Sequence, residues 1–478
     1  MQQTQVKWYF FFLLVLLIFV WAIHFNGLYG QDSYEYLRYT KCIKAFIKTG
    51  ANPGDYFWPV LYPISGALFS FLFPVPFALQ FISMLALVTA AIYLEKILVL
   101  LFPSGKSLAT LYVFLFFLLS PYMLRASLVI MSDSLTILWI VMGAYYFQKY
   151  RNTLANKYFL WLIFCFTAAI FTRYAAFVVI FPLAVVAAYL FLRNFKIVPF
   201  IIAILIVFLI FLPHIFIRRE SPFQFIHHEW LDTWSPRNLF RNHFNTGNGR
   251  SSYFFKNIIY AFFNVAHPAF CFAGIVFFFT CLHLSYKKLK LGITPYLISV
   301  FLYAFFLAGI PFQNMRFLLL SFPFVLIILY RGYEYVEQLS KNRRGWQYVV
   351  ITIVIIQFAL FYRVFVPFYN DNKVEKYMAN KMLSYSNRTV YTFSIDGALK
   401  SYGFVGNIIN MAEIKLDTVK KIDTNFLVLF NPSEFSETWK NEIPMKNWEF
   451  LNKHYDLIKL EDMPNGWELY RNNFSFKK

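Results

Sequence analysis

The chain has 478 residues, of which 59% are hydrophobic and only 14% charged, a balance that excludes an ordinary soluble domain. Its net charge of +20 would suggest a nucleic-acid partner in a soluble protein. In a membrane protein the same charge sits in loops, orients the helices and attracts anionic lipid, so the lipid bilayer rather than nucleic acid is the expected partner.

The first apolar run, from Trp8 to about Phe25, is long enough to cross a bilayer. Bulky Trp21, His24 and Phe25 stand where a signal peptide would need small residues, so this span is expected to be retained. Directly after it comes Gly30-Gln31-Asp32-Ser33-Tyr34-Glu35-Tyr36-Leu37, which places two carboxylates at the membrane surface. From Asp32 to Lys48 the pattern is helical. Tyr36, Tyr39, Ile43, Phe46 and Ile47 share one face, and Arg38, Lys41, Lys44 and Lys48 line the other. A cationic amphipathic helix of this kind lies in the interface. The turn Gly50–Asp55 leads to Trp58-Pro59-Val60-Leu61-Tyr62-Pro63, which opens a second, short interfacial segment ending at Pro74 and Pro76.

Further spans are expected at roughly 77–101, 107–121, 133–148, 157–172, 174–192, 198–217, 258–285, 293–312, 316–331 and 346–366, about eleven with the first. Basic residues cluster on alternate connections. These are Lys96 and Lys106; Lys149, Arg151 and Lys157; Arg193 and Lys196; Lys287, Lys288 and Lys290; and Arg331, Lys341, Arg343 and Arg344. That alternation puts the N-terminus in the cytoplasm. The loops at about 28–76 and 218–257, and the C-terminal region, then lie outside it. The expected class is a polytopic α-helical membrane protein, with a membrane module over 1–366 and a small extracytoplasmic α/β domain over 367–478. In that second part Thr389–Ile395, Asn425–Phe430, Leu457–Leu460 and Trp467–Tyr470 read as strands, and Asp396–Tyr402 and Ser433–Lys440 as helices.

Several residues could carry chemistry. Asp32 and Glu35 fit a capping box, in which Asp32 caps the helix and Glu35 reaches back. Asp32 equally fits a general base that takes a proton from an incoming hydroxyl or amine. Asp133, in Met131-Ser132-Asp133-Ser134, opens a span on the same expected side, and Arg125 lies close enough in sequence to neutralise it. Arg173 and Arg316 also sit at extracytoplasmic span ends. They either snorkel or, with Arg125, clamp a phosphate. His227-His228-Glu229 followed by Asp232 invites a metal reading, but adjacent histidines point in different directions, so no metal is implied. The four cysteines (Cys42, Cys165, Cys271 and Cys281) form no CxxC pair and imply neither disulfides nor zinc.

Taken in order, these motifs resemble those of the GT-C glycosyltransferases. They are Gly30-x-Asp32-Ser33-x-x-Tyr36-Leu37 after the first span, Pro59-x-Leu61-Tyr62-Pro63, Ser132-Asp133 at a helix start, Thr172-Arg173-Tyr174, and Asn314-x-Arg316-Phe317, followed by a C-terminal domain. The chain is similar to the bacterial relatives of protein O-mannosyltransferases and of aminoarabinose transferase. The resemblance implies an inverting transferase of the inner membrane, which moves a sugar from a polyprenyl-phosphate donor to a lipid, glycan or protein acceptor outside the cytoplasm. No cofactor is implied, and a divalent metal is not obligatory because the leaving group is already a phosphate ester. By position, Asp32 would be the base and Asp133 an assisting carboxylate, with Glu35 as a further acidic candidate. Arg316, Arg173 and Arg125 would hold the lipid phosphate, and Tyr36, Tyr62 and His228 would line the substrate groove. The chain departs from the pattern in two places. Ser33 stands where many relatives have a second acidic residue, and the lysine that aminoarabinose transferases carry near Tyr62 is missing. Two other classes stay open on sequence grounds: a transporter or flippase of a polar or lipid-linked solute, and a glycan ligase or polymerase.

Overall fold

The computed structural model describes residues 3–54, 56–103, 106–217, 229–246, 249–285, 292–340, 343–418 and 425–476. Helix α1 (Gln3–Ala22) leads through a tight turn into α2 (Gly30–Thr49). The turn uses Gly27 at φ 78°, where a Cβ would sit 3.0 Å from both the Ile130 side chain and the Leu128 carbonyl. Only glycine meets both demands. Helix α2 already includes Gly30, and the expected capping box gives way to a different arrangement. The Ser33 hydroxyl accepts from the Tyr29 N–H at 2.6 Å, while Glu35 turns forward to Arg38 at 2.5 and 2.6 Å.

Short α3 (Leu61–Phe69) precedes α4 (Val75–Leu101), whose second residue is Pro76, a position where the missing N–H costs nothing. The span expected at 107–121 is met as far as Leu118, and a further helix follows after a break. Helix α5 (Lys106–Val113) continues as a π turn over Phe114–Leu118 and then bends by 65° into α6 (Pro121–Leu128). Pro121 explains the break, because it forces Ser120 into an extended conformation (φ −59°, ψ 122°). Helices α7 (Asp133–Thr153) and α8 (Asn156–Thr172) form an antiparallel pair that turns through Leu154 at φ 55°. Next come α9 (Ala176–Arg193) and α10 (Ile197–Ile217). Helix α10 buries only Pro199, Ala203 and His214 and exposes Ile197, Val198, Ile201, Ile204 and Leu205, as a lipid-facing helix does.

Beyond the loop come α11 (Glu229–Asp232) and the hairpin of β1 (His243–Thr246) and β2 (Gly249–Ser252). The single span expected at 258–285 is in fact three helices, α12 (Asn257–Tyr260), α13 (Phe263–Ala266) and α14 (Gly274–Ser285). His267, ahead of Pro268, is extended (ψ 125°) and ends α13. Helices α15 (Thr294–Ala308) and α16 (Phe322–Leu339) follow. The 40-residue α17 (Arg343–Met382) is about 60 Å long, twice the hydrocarbon thickness. Among the described residues four helices are long and apolar enough to cross a membrane, or five with the bent pair. Further spans toward the expected eleven must come from shorter apolar helices such as Asn156–Thr172 and Thr294–Ala308.

The chain forms two compact units. The first comprises 1–27, 39–240 and 256–366, and the second comprises 28–38, 241–255 and 367–478. The core of the first includes a cluster of Tyr112, Phe116, Phe277, Tyr330 and Tyr333, with the Tyr112 hydroxyl satisfied by the Leu326 carbonyl at 2.9 Å.

The second unit contains a five-stranded mixed sheet in the order β4-β3-β5-β7-β6. Its strands and helices are β3 (Thr389–Thr392), α18 (Asp396–Ser401), β4 (Ile408–Asn410), β5 (Phe426–Phe430), α19 (Pro432–Thr438), α20 (Ile443–His454), β6 (Tyr455–Asp462) and β7 (Glu468–Phe476). Central β5, Phe-Leu-Val-Leu-Phe, is buried along its whole length, as a continuous apolar run covered on both faces must be. Strands β3, β4 and β5 run parallel; β7 pairs antiparallel with β5 and β6.

Candidate active site

In the first unit a buried ionic cluster forms around Asp133. This aspartate opens α7 and is 1% exposed. Its carboxylate is met by two guanidiniums from distant parts of the sequence. Arg173 caps the C-terminus of α8 and reaches Oδ1; Arg316, ahead of the turn Phe317–Leu320, reaches Oδ2 at 2.5 Å. The side chains of the two arginines are 15% and 18% exposed, so they bridge between Asp133 and the surface. One carboxylate against two guanidiniums leaves a net positive charge. The cationic site is therefore held in register by its own buried counter-ion.

The supports of this cluster are extensive. Arg173 lies over the Phe317 ring with its guanidinium carbon 5.4 Å from the centroid. The segment before Arg316 is pinned by amides and hydroxyls. Asn257 donates to the carbonyls of Ala308 (3.2 Å) and Ile310 (2.6 Å), and Gln313 donates to Asn257 Oδ1 (2.8 Å). Tyr260 donates to the Asn314 carbonyl (2.5 Å) and accepts from the Asn314 N–H (2.9 Å). Asn314 Oδ1 then accepts from the Arg316 N–H (2.9 Å). Buried Tyr303 donates to the Phe317 carbonyl (2.9 Å) on the other side of Arg316.

The segment before Asp133 is braced as well. Gln80 donates to the carbonyls of Leu128 (2.8 Å) and Phe25 (3.3 Å), and the Ile130 N–H donates to the Gly27 carbonyl (2.7 Å). Tyr62, expected on a groove wall, is fully buried instead. Its hydroxyl donates to the Leu79 carbonyl (3.1 Å) and meets Ser83 Oγ (2.9 Å), which itself donates to the Met131 carbonyl (3.3 Å). Tyr62 thus packs α3 on α4 and indirectly on the approach to Asp133. Arg125, the sequence neighbour expected to neutralise Asp133, lies over the Tyr122 ring at 5.0 Å; the neutralising charges come from Arg173 and Arg316.

Asp32 and Glu35 belong to the second unit. Asp32 is partly buried in the first turn of α2, Tyr36 is 4% exposed, and Glu35 is paired with Arg38. Around them, residues from the end of α17 grip the segment that starts α2. Phe368 packs against Tyr29 with ring centroids 4.1 Å apart, Asn372 donates to the Leu28 carbonyl (2.8 Å), and Glu375 accepts from the Gly30 N–H (3.3 Å) and the Tyr34 hydroxyl (2.7 Å). Burial, above all, pushes the Glu375 carboxyl up to about 7. Sequence reasoning overlooked Glu375, Asn372, Asn257, Gln80 and Tyr260. The one available signal was polar residues at the edges of apolar runs.

His228 lies outside the described residues. Among the described residues, no three His, Cys, Asp or Glu side chains converge as a metal site requires.

No known family profile and no curated protein matches the sequence. The fold does match solved structures. ArnT from Cupriavidus metallidurans bound to undecaprenyl phosphate superposes with a TM-score of 0.64 at 10% identity, covering 99% of this chain and 99% of that one. The same protein in the apo state gives 0.61 at 11% identity over 96% and 97%. The Archaeoglobus fulgidus oligosaccharyltransferase tethered to an acceptor peptide gives 0.51 at 11% identity, covering 98% of this chain and 74% of that one. The chain therefore has the GT-C fold along nearly its whole length.

Proposed function

We propose that this chain is a membrane glycosyltransferase that moves a sugar from a polyprenyl-phosphate carrier to an acceptor on the extracytoplasmic side, with Asp32 as general base. The observation that carries the reading is the convergence of Arg173 and Arg316 on buried Asp133, a preorganised cationic site suited to a departing phosphate. Undecaprenyl phosphate bound to a protein of the same fold supports the same class of carrier.

The reaction has one displacement. The acceptor's oxygen or nitrogen attacks the anomeric carbon as Asp32 takes its proton, and the bond from that carbon to the phosphate oxygen breaks on the opposite face. The lipid phosphate leaves with the electron pair. Negative charge builds on it in the transition state, and guanidiniums already in place stabilise that charge without reorganisation. Asp133 holds the two arginines in position. Glu35 is paired with Arg38, so the proton transfer is assigned to Asp32.

The test uses purified protein in proteoliposomes, a panel of undecaprenyl-phosphate sugars, and mass-spectrometric detection of released undecaprenyl phosphate. Wild-type protein turns over at least one donor, and Asp32→Asn loses transfer by about two orders of magnitude or more while staying inserted and folded. Turnover of Asp32→Asn near the wild-type rate would overturn the base assignment.

A further inference from the structure

We propose that Glu375, with Asn372 beside it, is a positioning residue: it latches the first turn of α2 to the polar end of α17 and so fixes the direction of Asp32. The proposal rests on the reading of Asp32 as general base. Phe368, Asn372 and Glu375 are spaced four and three residues apart and therefore share one helix face. That face meets Tyr29, Leu28, Gly30 and Tyr34 in turn. The contact with the Gly30 N–H matters most, since this donor opens the helix and has no partner within it. A carboxylate there also suits the positive end of the helix dipole. Tyr34, 3% exposed, is the other anchor. It packs edge-on to Tyr402 (6.2 Å between centroids), and Gly397 leaves it room, because an added Cβ would come within 3.0 Å of the Tyr34 Cβ. The turn that carries Asp32 is thus held by hydrogen bonds from α17 and by aromatic packing of Tyr29 and Tyr34.

The latch senses pH, and the sign follows from linkage. Glu375 lies beyond the apolar stretch 346–366 and faces the Tyr34 hydroxyl, the Gly30 amide and, on its own helix, Asp371; Tyr402 stands behind Tyr34, and Glu434 behind Asp371. Its carboxyl is raised from 4.5 to about 7 while latched, so the closed state binds a proton more readily than an opened, hydrated one. Opening is hardest below about pH 4.5 and becomes easier as pH rises through about 7.

The test is amide hydrogen exchange on the full-length protein, read on peptides covering 28–38 and corrected for intrinsic rates. Wild-type protection should fall at least about tenfold between pH 5 and 8. Glu375→Gln keeps an acceptor for the Gly30 N–H and should flatten this dependence. Glu375→Ala and Asn372→Ala should each raise exchange in 28–38 at least tenfold at pH 6, leaving the peptides of α7 to α10 unchanged. In proteoliposomes Glu375→Ala should lower kcat tenfold or more on whichever undecaprenyl-phosphate sugar wild type turns over, with affinity for undecaprenyl phosphate within twofold. Unchanged exchange in Glu375→Ala, or an unaltered pH dependence in Glu375→Gln, overturns the latch. If the exchange results hold while Asp32→Asn retains transfer, the latch stands and the base assignment falls.

Discussion

At the residue scale, the energetics of the candidate site turn on Asp133. It is buried and shared by two arginines that keep partial contact with solvent. Removing one partner of a buried ion pair costs roughly 3–5 kcal/mol, because the surviving charge is left without compensation. The exposure of the arginines places this case at the low end of that range. Asp133→Asn should therefore lower Tm by several degrees and cut transfer sharply. Arg316→Met added to Asp133→Asn should recover part of the stability and none of the activity. Thermal unfolding in detergent checks the first statement, and a double-mutant cycle the second. A neutral Tm for Asp133→Asn would mean that the arginines are solvated without it.

At the scale of elements, the arginine at the end of a broken segment is only as well placed as the segment itself. The turn ahead of Arg316 carries carbonyls and amides that no helix satisfies, and the Tyr260 hydroxyl serves two of them, on Asn314. Tyr260→Phe removes both bonds; the Asn314 C=O keeps the Phe317 N–H at 2.9 Å, while the part-buried Asn314 N–H loses its Tyr260 partner, at a cost of about 1 kcal/mol. The expected outcome is a lower Tm together with weaker undecaprenyl phosphate binding, measured by native mass spectrometry. Unchanged binding would show that the Tyr260 bonds do not position Arg316.

Gly27 sits in another broken segment. Gly27→Ala brings a left-handed residue into contact with Ile130 and Leu128, which costs roughly 1–3 kcal/mol and should appear as a lower Tm with no change in the sheet's circular dichroism. These broken segments were the least legible part of the sequence. A hydropathy run does not reveal where Pro121 bends a helix or where His267 before Pro268 ends one. Both breaks depend on a single backbone angle, not on average apolarity.

For the whole molecule, the orientation expected from alternating basic loops can be tested with single cysteines in a background lacking Cys42, Cys165, Cys271 and Cys281. Glu437 and Arg193 are both exposed. Glu437→Cys should react with a membrane-impermeant maleimide in intact cells, and Arg193→Cys only after permeabilisation. The reverse pattern would invert the topology and remove Asp32 from the extracytoplasmic side. Much at this scale was legible in advance. Helices α4, α7, α8, α9 and α10 lie where the apolar runs stand, and β3, β5, β6 and β7 where β-branched and aromatic residues cluster. Strand β4 and helix α20 were not foreseen, since three residues make too short a run to register and α20 carries mixed polarity.

The sequence by itself determined what burial and periodicity encode locally: a helical membrane chain, an amphipathic segment after the first span, and a β-rich C-terminal part. Each of these follows from transfer free energies of residues a few positions apart. Tertiary structure decided which charges meet. Asp133 takes its counter-ions from residues 40 and 183 positions away rather than from nearby Arg125, and the start of the Asp32 helix is held by Glu375, 345 positions on from Gly30. Ion pairs and buried hydrogen bonds of this kind depend on distance in space, and no local pattern in the chain records it.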